Sequence, residues 1–352
     1  MKKIIEMKHH KDDYECMWNG IEDIYVNKTK EEIPNQLFFC LCGLGNFVYL
    51  KTNKKEIKRL VSFGDGRTKK MYEYLHGFVG FDYKHFEFKT FEQLLQKAKT
   101  EINLGYPVVL GAMDMYYLEY YSKLYQKDHI PFHYVLMIGY DDELEQIFLY
   151  DCGKDETIHL SYENLKLALD VESPGLSKKN TLCTVRMENP KNLIEIVESV
   201  LYDSATKFLK PTNSFTGCKG LEKVAHEIDS WECEIGVDET KKILRNMIFF
   251  FGTVPSFPNR LINKNESESM RFCGGRDKFA NLLADLSKKY KRDNWMKASL
   301  LFQESSIVFE SLTNHFIDYI LGISVELHAS EMLMKINYYE TQAYQLILNE
   351  NE

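Results

Sequence analysis

Apolar and polar positions follow two different textures along the chain. Up to about residue 189, short apolar stretches alternate with charged turns; beyond it, long patterns of period 3.6 dominate. Met17, Trp18, Ile21, Ile24 and Tyr25 fall at helical spacing, so a helix is expected from Cys16 to Val26. "LFFCLCGLGNFVYL" reads as a buried strand or helix broken by Gly43 and Gly45, and its periodicity does not arbitrate. "TFEQLLQKAKTEINLG" is an amphipathic helix that stops at Gly105. "YPVVLGAMDMYYL" reads as a strand. In "HYVLMIGYDDELEQIFLYDCG" a strand, an acidic turn and a second strand predict a β-hairpin. "SYENLKLALDV" starts a helix with Ser161 as N-cap, and "NTLCTVRM" is a last strand.

After Asn189-Pro190 come helical patterns such as "NLIEIVESVLYDSATKFL" and "WMKASLLFQESSIVFESLTNHFIDYI". Trp231, Trp295, Phe302 and Phe309 recur at helical spacing and are assigned to a core. The expected architecture is α+β: a domain over residues 1–188 followed by an all-helical domain over 189–352.

Composition narrows the class. Of 352 residues, 44% are hydrophobic and 27% charged, enough for a sizeable core and a poor fit to disorder or a coiled coil. A net charge of −8 argues against nucleic acid as the main partner. An acidic surface suits a cationic small molecule, or simply solubility. "MKKIIEMKHHKDD" lacks the apolar core of a signal peptide, and no apolar run spans a bilayer, so a cytoplasmic protein without a membrane partner is expected. The eight cysteines are scattered, as reduced thiols are. Cys40 and Cys42 lack a partner pair at zinc-finger spacing, His129 and His133 share no helical face, and "SFGDGRTKK" lacks a phosphate-loop spacing. No metal and no cofactor is assigned.

The candidate chemistry is nucleophilic. Acyl transfer needs a thiolate, a base to make it and a group to orient the base. A helix N-terminus favours the thiolate and offers N–H groups to an oxyanion. Cys16 holds that place if its helix starts where the pattern does. His133 opens one hairpin strand and Asp151 closes the other, and an antiparallel pair brings those ends together. Each residue also has an ordinary reading, as a half-buried thiol, a satisfied strand histidine and a turn aspartate.

These blocks carry a resemblance. "HYVLMIGYDD…IFLYDCG" looks like the His-to-Asp hairpin of the bacteriocin-processing cysteine peptidase superfamily. With "CMWNGIEDIY", "LFFCLCGLGNFVYL" and "PVVLGAMDMYYLEY", residues 9 to 187 resemble the N-terminal domain family of butirosin biosynthesis protein H, and the helical remainder is similar to the domain that usually follows it. The resemblance implies a papain-like fold and an acyltransferase of antibiotic biosynthesis. Acyl would move from a carrier-protein thioester to a cysteine and then to an amine of an aminoglycoside. It implies Cys16 as nucleophile, His133 as base and Asp151 as its orienter. The superfamily often places Gln six residues before the Cys, where this chain has His10, and the closer relatives often have His directly before it, where this chain has Glu15. His10 is therefore a candidate at the oxyanion.

Asp114, with Tyr116 and Tyr117, could line a site for a cationic amine, the tyrosines serving equally as packing. Arg271 and Arg276 could meet an anionic carrier or sit on a solvated face. Three functions stay open: the cysteine acyltransferase, a hydrolase with the same triad, and an inactive binding or scaffold protein, for which Glu15 beside the thiol speaks.

Overall fold

The computed structural model describes residues 1–12, 16–43, 47–52, 58–63, 69–173, 176–251 and 274–349. In chain order the elements are β1 (Lys2–Ile4), α1 (Cys16–Thr29), α2 (Leu37–Gly43), β2 (Phe47–Lys51), β3 (Arg59–Phe63) and α3 (Lys69–Val79). There follow β4 (Asp82–Glu87), α4 (Phe91–Asn103), β5 (Val108–Met113), β6 (His133–Asp141), β7 (Gln146–Tyr150), β8 (Ile158–Ser161), α5 (Tyr162–Leu169) and β9 (Thr181–Arg186). The remainder is helical: α6 (Leu193–Leu209), α7 (Gly217–Glu227), α8 (Trp231–Ile235), α9 (Val237–Phe251), α10 (Arg276–Tyr290), α11 (Asp293–Leu321) and α12 (Ser330–Leu348). The fold is α+β with a helical C-terminal region, as the texture of the sequence predicts. Two compact units emerge: Met1–Phe39 with Arg67–Ile196, and Cys40–Gly66 with Val197–Glu352. Residues 40–66 thus group with the helical part.

The first unit is built on an antiparallel sheet in the order β4-β9-β5-β6-β7-β8, with β1 also paired to β6. β5 pairs with the first half of β6 (Val108↔Met137) and β1 with its last residues (Ile4↔Gly139). Gly139 permits that approach, because a Cβ there would stand 2.5 Å from the Lys3 carbonyl oxygen. Leu94, Ala98 and Ile102 of α4 and Leu165 and Ala168 of α5 form one core with Val135 and Met137 of β6 and Ile147 and Leu149 of β7. Thr90 and Ser161 cap the two helices through their hydroxyls, and Gly105 ends the first with φ +88.

α1 packs on β6 through Leu136. A Cβ at Gly20 would lie 2.9 Å from the Leu136 Cβ, so only glycine lets the helix settle this close to the strand. Trp18 is fully buried and meets Tyr72 edge-on at 4.8 Å, while the Tyr72 hydroxyl donates to the Met17 carbonyl at 2.5 Å. These contacts fix the height of the first helical residue, Cys16, relative to the sheet.

Some local assignments change. The segment read as strand or helix is both: Leu37–Gly43 is helical, which puts Cys40 and Cys42 on a buried helix, and Phe47–Lys51 is a strand. "VVLGAMDMYY" is not one strand. Asp114 ends it by accepting from the Tyr116 N–H and capping a short 3-10 turn, Met115–Tyr117.

In the second unit the β2–β3 hairpin pairs Phe47 with Phe63, and α10, α11 and α12 pack together. Trp231, Trp295, Phe302 and Phe309 are core residues, as expected. Arg276 is not a surface residue. Its guanidinium is buried and bonds Glu340 (Nε to Oε1 2.8 Å) and the Phe63 carbonyl (3.0 Å), while the Ser305 hydroxyl also donates to Glu340 (3.0 Å). This geometry removes it from the residues free to meet an anionic carrier; Arg271 lies outside the described residues. Breaking a buried pair strands its partner's charge, so Glu340→Gln is expected to lower stability by about 3–5 kcal/mol, read from denaturant unfolding. An unchanged midpoint would show that the charge of Glu340 carries none of that stability.

Candidate functional site

The hairpin register sets the first pair. Leu136 lies opposite Tyr150, so the chain runs on to place Asp151 across from Val135, with His133 on the diagonal two residues away. His133 Nε2–H donates to Asp151 Oδ2 at 2.7 Å, and both side chains are buried. Cys16 opens α1, its Sγ 4.0 Å from the Phe132 carbonyl oxygen, next in sequence to His133, and it acts electrostatically on the His133 imidazole. With Nε2 given to Asp151, Nδ1 is the nitrogen left for the thiol. The three residues named from the sequence therefore meet at the head of β6.

Burial disfavours the His133 imidazolium, but the charges of Asp151 and Cys16 and their hydrogen bonds outweigh it and raise its pKa to about 10. Burial would likewise raise the Asp151 carboxyl. Against it stand the imidazolium charge and hydrogen bonds from His133, Tyr120 and Tyr121, which hold the pKa below the usual value. The hydroxyl of Tyr120 donates to Oδ2 at 2.7 Å and that of Tyr121 to Oδ1 at 3.0 Å.

A second polar group lies beside α1. His10 Nδ1 donates to Asp23 Oδ1 at 2.7 Å and Nε2 faces Glu22 Oε2 at 3.2 Å, while Glu22 Oε1 accepts from the Phe38 N–H at 2.8 Å. Both ring nitrogens of His10 are committed to acids six and seven residues beyond Cys16, about 10 Å further along the helix axis. Glu15, the other residue singled out near the thiol, lies outside the described residues. His10, Asp12 and Glu22 each bring one donor atom within 4.8 Å of the others, a grouping the sequence did not suggest. The imidazolium of His10 supplies counter-charge within that grouping. His9 ties the same helix to the hairpin: Nδ1 meets Asp23 Oδ2 at 2.6 Å, Nε2–H donates to the Lys154 and Asp151 carbonyls at 3.0 and 3.2 Å, and the ring stacks on Tyr150.

This network predicts a pH dependence of stability. Burial raises the Glu22 pKa to about 7, against the pull of His10. A carboxyl that keeps its proton longer when folded loses stability as pH climbs from its unfolded value near 4.5 through 7. For His10 burial is outweighed by hydrogen bonds and charge from Asp23 and Glu22, giving a pKa of about 10, so its contribution is complete below pH 6.5 and lost as pH rises through 10. The two slopes add. Tm is expected to fall by several degrees from pH 5 to pH 10, and Glu22→Gln to flatten the part below pH 7. An unaltered slope in the variant would rule Glu22 out as its source.

Asp114 is buried and both its oxygens are engaged by its own loop. Oδ1 accepts from the Tyr116 and Ile130 N–H groups (3.1 and 2.9 Å), and Oδ2 accepts from His129 Nδ1 at 2.6 Å. Tyr116 stacks on the His129 ring at 4.1 Å, with Tyr117 against it edge-on. The carboxylate closes the 114–130 excursion; it has no hydrogen bond to the Cys16–His133–Asp151 group.

The sequence missed Tyr120 and Tyr121. Their signal lies in "DMYYLEYYSKLY", where tyrosine pairs recur four residues apart. No disulfide joins the described cysteines, and no described helix is long and apolar enough to cross a membrane.

The fold and its polar centre define an α+β domain with a cysteine, a histidine and an aspartate gathered between a helix start and a hairpin. Residues 15–152 match the family model described as "Butirosin biosynthesis protein H, N-terminal", and that segment carries a domain of this family. The match covers less than half of the chain and ends just past Asp151. No curated protein matches the sequence.

Proposed function

We propose that the chain is a cysteine-dependent acyltransferase of antibiotic biosynthesis, moving an acyl group from a thioester to the amine of a small molecule. The observation that supports this reading is the imidazole of His133, hydrogen-bonded to the Asp151 carboxylate at 2.7 Å, with Cys16 at the start of α1 held against the neighbouring Phe132 carbonyl and acting on the ring. The family description, which names a biosynthetic protein, supports the same reading. The donor is an acyl carrier protein or another acyl thioester, and the acceptor an amine-bearing small molecule. The reaction takes place in the cytoplasm, in keeping with cysteines that form no described disulfide.

The steps follow from the groups present. The Cys16 thiol gives its proton to His133 and its sulfur attacks the thioester carbonyl. The first N–H groups of α1 lack intrahelical acceptors and face the developing oxyanion. The bond to the donor sulfur breaks, and that sulfur leaves with the proton from His133. The amine nitrogen then attacks the acyl-cysteine and passes a proton to His133 as the bond to Cys16 breaks. Asp151 keeps the imidazole oriented and balances its charge throughout.

A chain incubated with an acyl thioester and no amine is expected to gain the mass of one acyl group on Cys16. Adding the amine should convert that adduct to amide faster than to free acid. Free acid formed at the same rate with and without amine would instead identify a hydrolase.

A further inference from the structure

Asp151 does not stand on the histidine alone. Its carboxylate has four lone-pair sites; Oδ2 takes the His133 Nε2–H and the Tyr120 hydroxyl, both at 2.7 Å, and Oδ1 takes the Tyr121 hydroxyl at 3.0 Å. Adjacent side chains ordinarily diverge, but here the backbone turns tightly. The Tyr121 N–H reaches back to the Leu118 carbonyl (3.0 Å), and the Leu124 and Tyr125 N–H groups both donate to the Tyr121 carbonyl (2.8 Å). The two rings stand 4.9 Å apart and converge on one carboxylate. Tyr121 also meets the His133 ring at right angles with 5.6 Å between centroids. The loop that carries both tyrosines is clamped at its base by Asp114 through Ile130 and His129.

We propose that Tyr120 and Tyr121 are positioning residues for the Cys16–His133 chemistry: their hydroxyls fix the plane of the Asp151 carboxylate, and with it the imidazole that faces the thiol. This inference rests on the acyltransferase reading of the triad and adds two residues to it. A hydrogen bond from imidazole to one carboxylate oxygen leaves the carboxylate free to rotate about its Cβ–Cγ bond. Two phenols, one on each oxygen, remove that freedom. They also keep a fully buried carboxylate ionised, which the imidazolium needs. The other charged or titratable groups facing this centre include Cys16, the buried thiol of Cys152, which acts on both tyrosines, Lys154, whose Nζ lies 4.9 Å from the Tyr121 ring centroid, and His9, which donates to the Asp151 carbonyl. None of these replaces a phenolic donor on the carboxylate.

The test uses the full chain and iodoacetamide, with Cys16 alkylation followed by peptide mass from pH 4 to pH 10. Tyr120→Phe and Tyr121→Phe keep the rings and remove only the donors, and thermal melts of each confirm the fold. Each variant is expected to slow Cys16 alkylation at neutral pH about tenfold, the size of one lost hydrogen bond to a charged group. Each should also move the rising limb of the profile up by about one pH unit, a change that loss of packing alone would not produce. Profiles within twofold of the parent in both variants would overturn the proposal, and a shift in only one would retain that tyrosine and reject the other. Asp151→Asn, run alongside, separates the two levels. If it too leaves the profile unmoved, the triad itself fails; if it shifts the profile while the tyrosine variants do not, only the inference fails.

Discussion

Cys16→Ser is expected to lower kcat/KM for amide formation by about 10⁴-fold or more, because the variant loses the nucleophile while keeping the rest of the site. A serine oxygen is a far weaker acid than a thiol. The proton that a thiol yields to His133 is therefore far harder to take from a serine hydroxyl. The side chain is nearly isosteric, so Trp18, Gly20 and Tyr72 should hold α1 where it is, and Tm should stay within a few degrees. The measurement is amide produced from an acyl thioester and an amine, with intact mass taken in parallel. The acyl adduct should vanish with the activity. A variant that kept most of its turnover would place the chemistry elsewhere in the chain.

The second large effect is expected from Asp151→Asn. The amide oxygen can still accept from His133, but the negative charge that holds the imidazolium is gone. Burial, which opposes the charged ring, then acts unbalanced, so the His133 pKa falls from about 10. The amide nitrogen also points a donor at one of two phenols that are themselves donating, leaving a buried polar clash. A fall of about 10²–10⁴-fold in kcat/KM is expected, with the alkaline edge of the pH–rate profile moved to lower pH. The check is kcat/KM across pH 5–10; an edge that stays put would mean that Asp151 does not govern the proton on His133.

Much of this centre was legible in the sequence because it depends on one short-range rule. Two apolar runs around the acidic "DDELE" make a hairpin, and a hairpin dictates that its open ends meet. His133 and Asp151 follow from that without further information. Cys16 was legible because helical spacing begins at Met17. What was not legible depends on long-range closure. Tyr120 and Tyr121 reach Asp151 only because Asp114 folds the intervening loop back through Ile130 and His129. His10 was read by its offset from Cys16, whereas its placement is set by Asp23 and Glu22 on the next helix. β4, "DYKHFE", has no legible strand pattern, since its outward positions are charged and its pairing to β9 is remote in sequence. Asp114 fits a strand by pattern, yet aspartate is a strong capping residue, and here the local preference prevails.

The bridge made by His9 has a practical consequence for anyone expressing this protein. Its ring joins the helix that begins with Cys16 to the backbone of Asp151, and the few residues before it zip onto the far end of the strand that begins with His133. A shortened clone starting at residue 11 would still encode every catalytic candidate. It would lack the brace that sets sulfur and carboxylate at a common height, so silence from such a clone would say nothing about the chemistry, and purification handles belong at the opposite terminus.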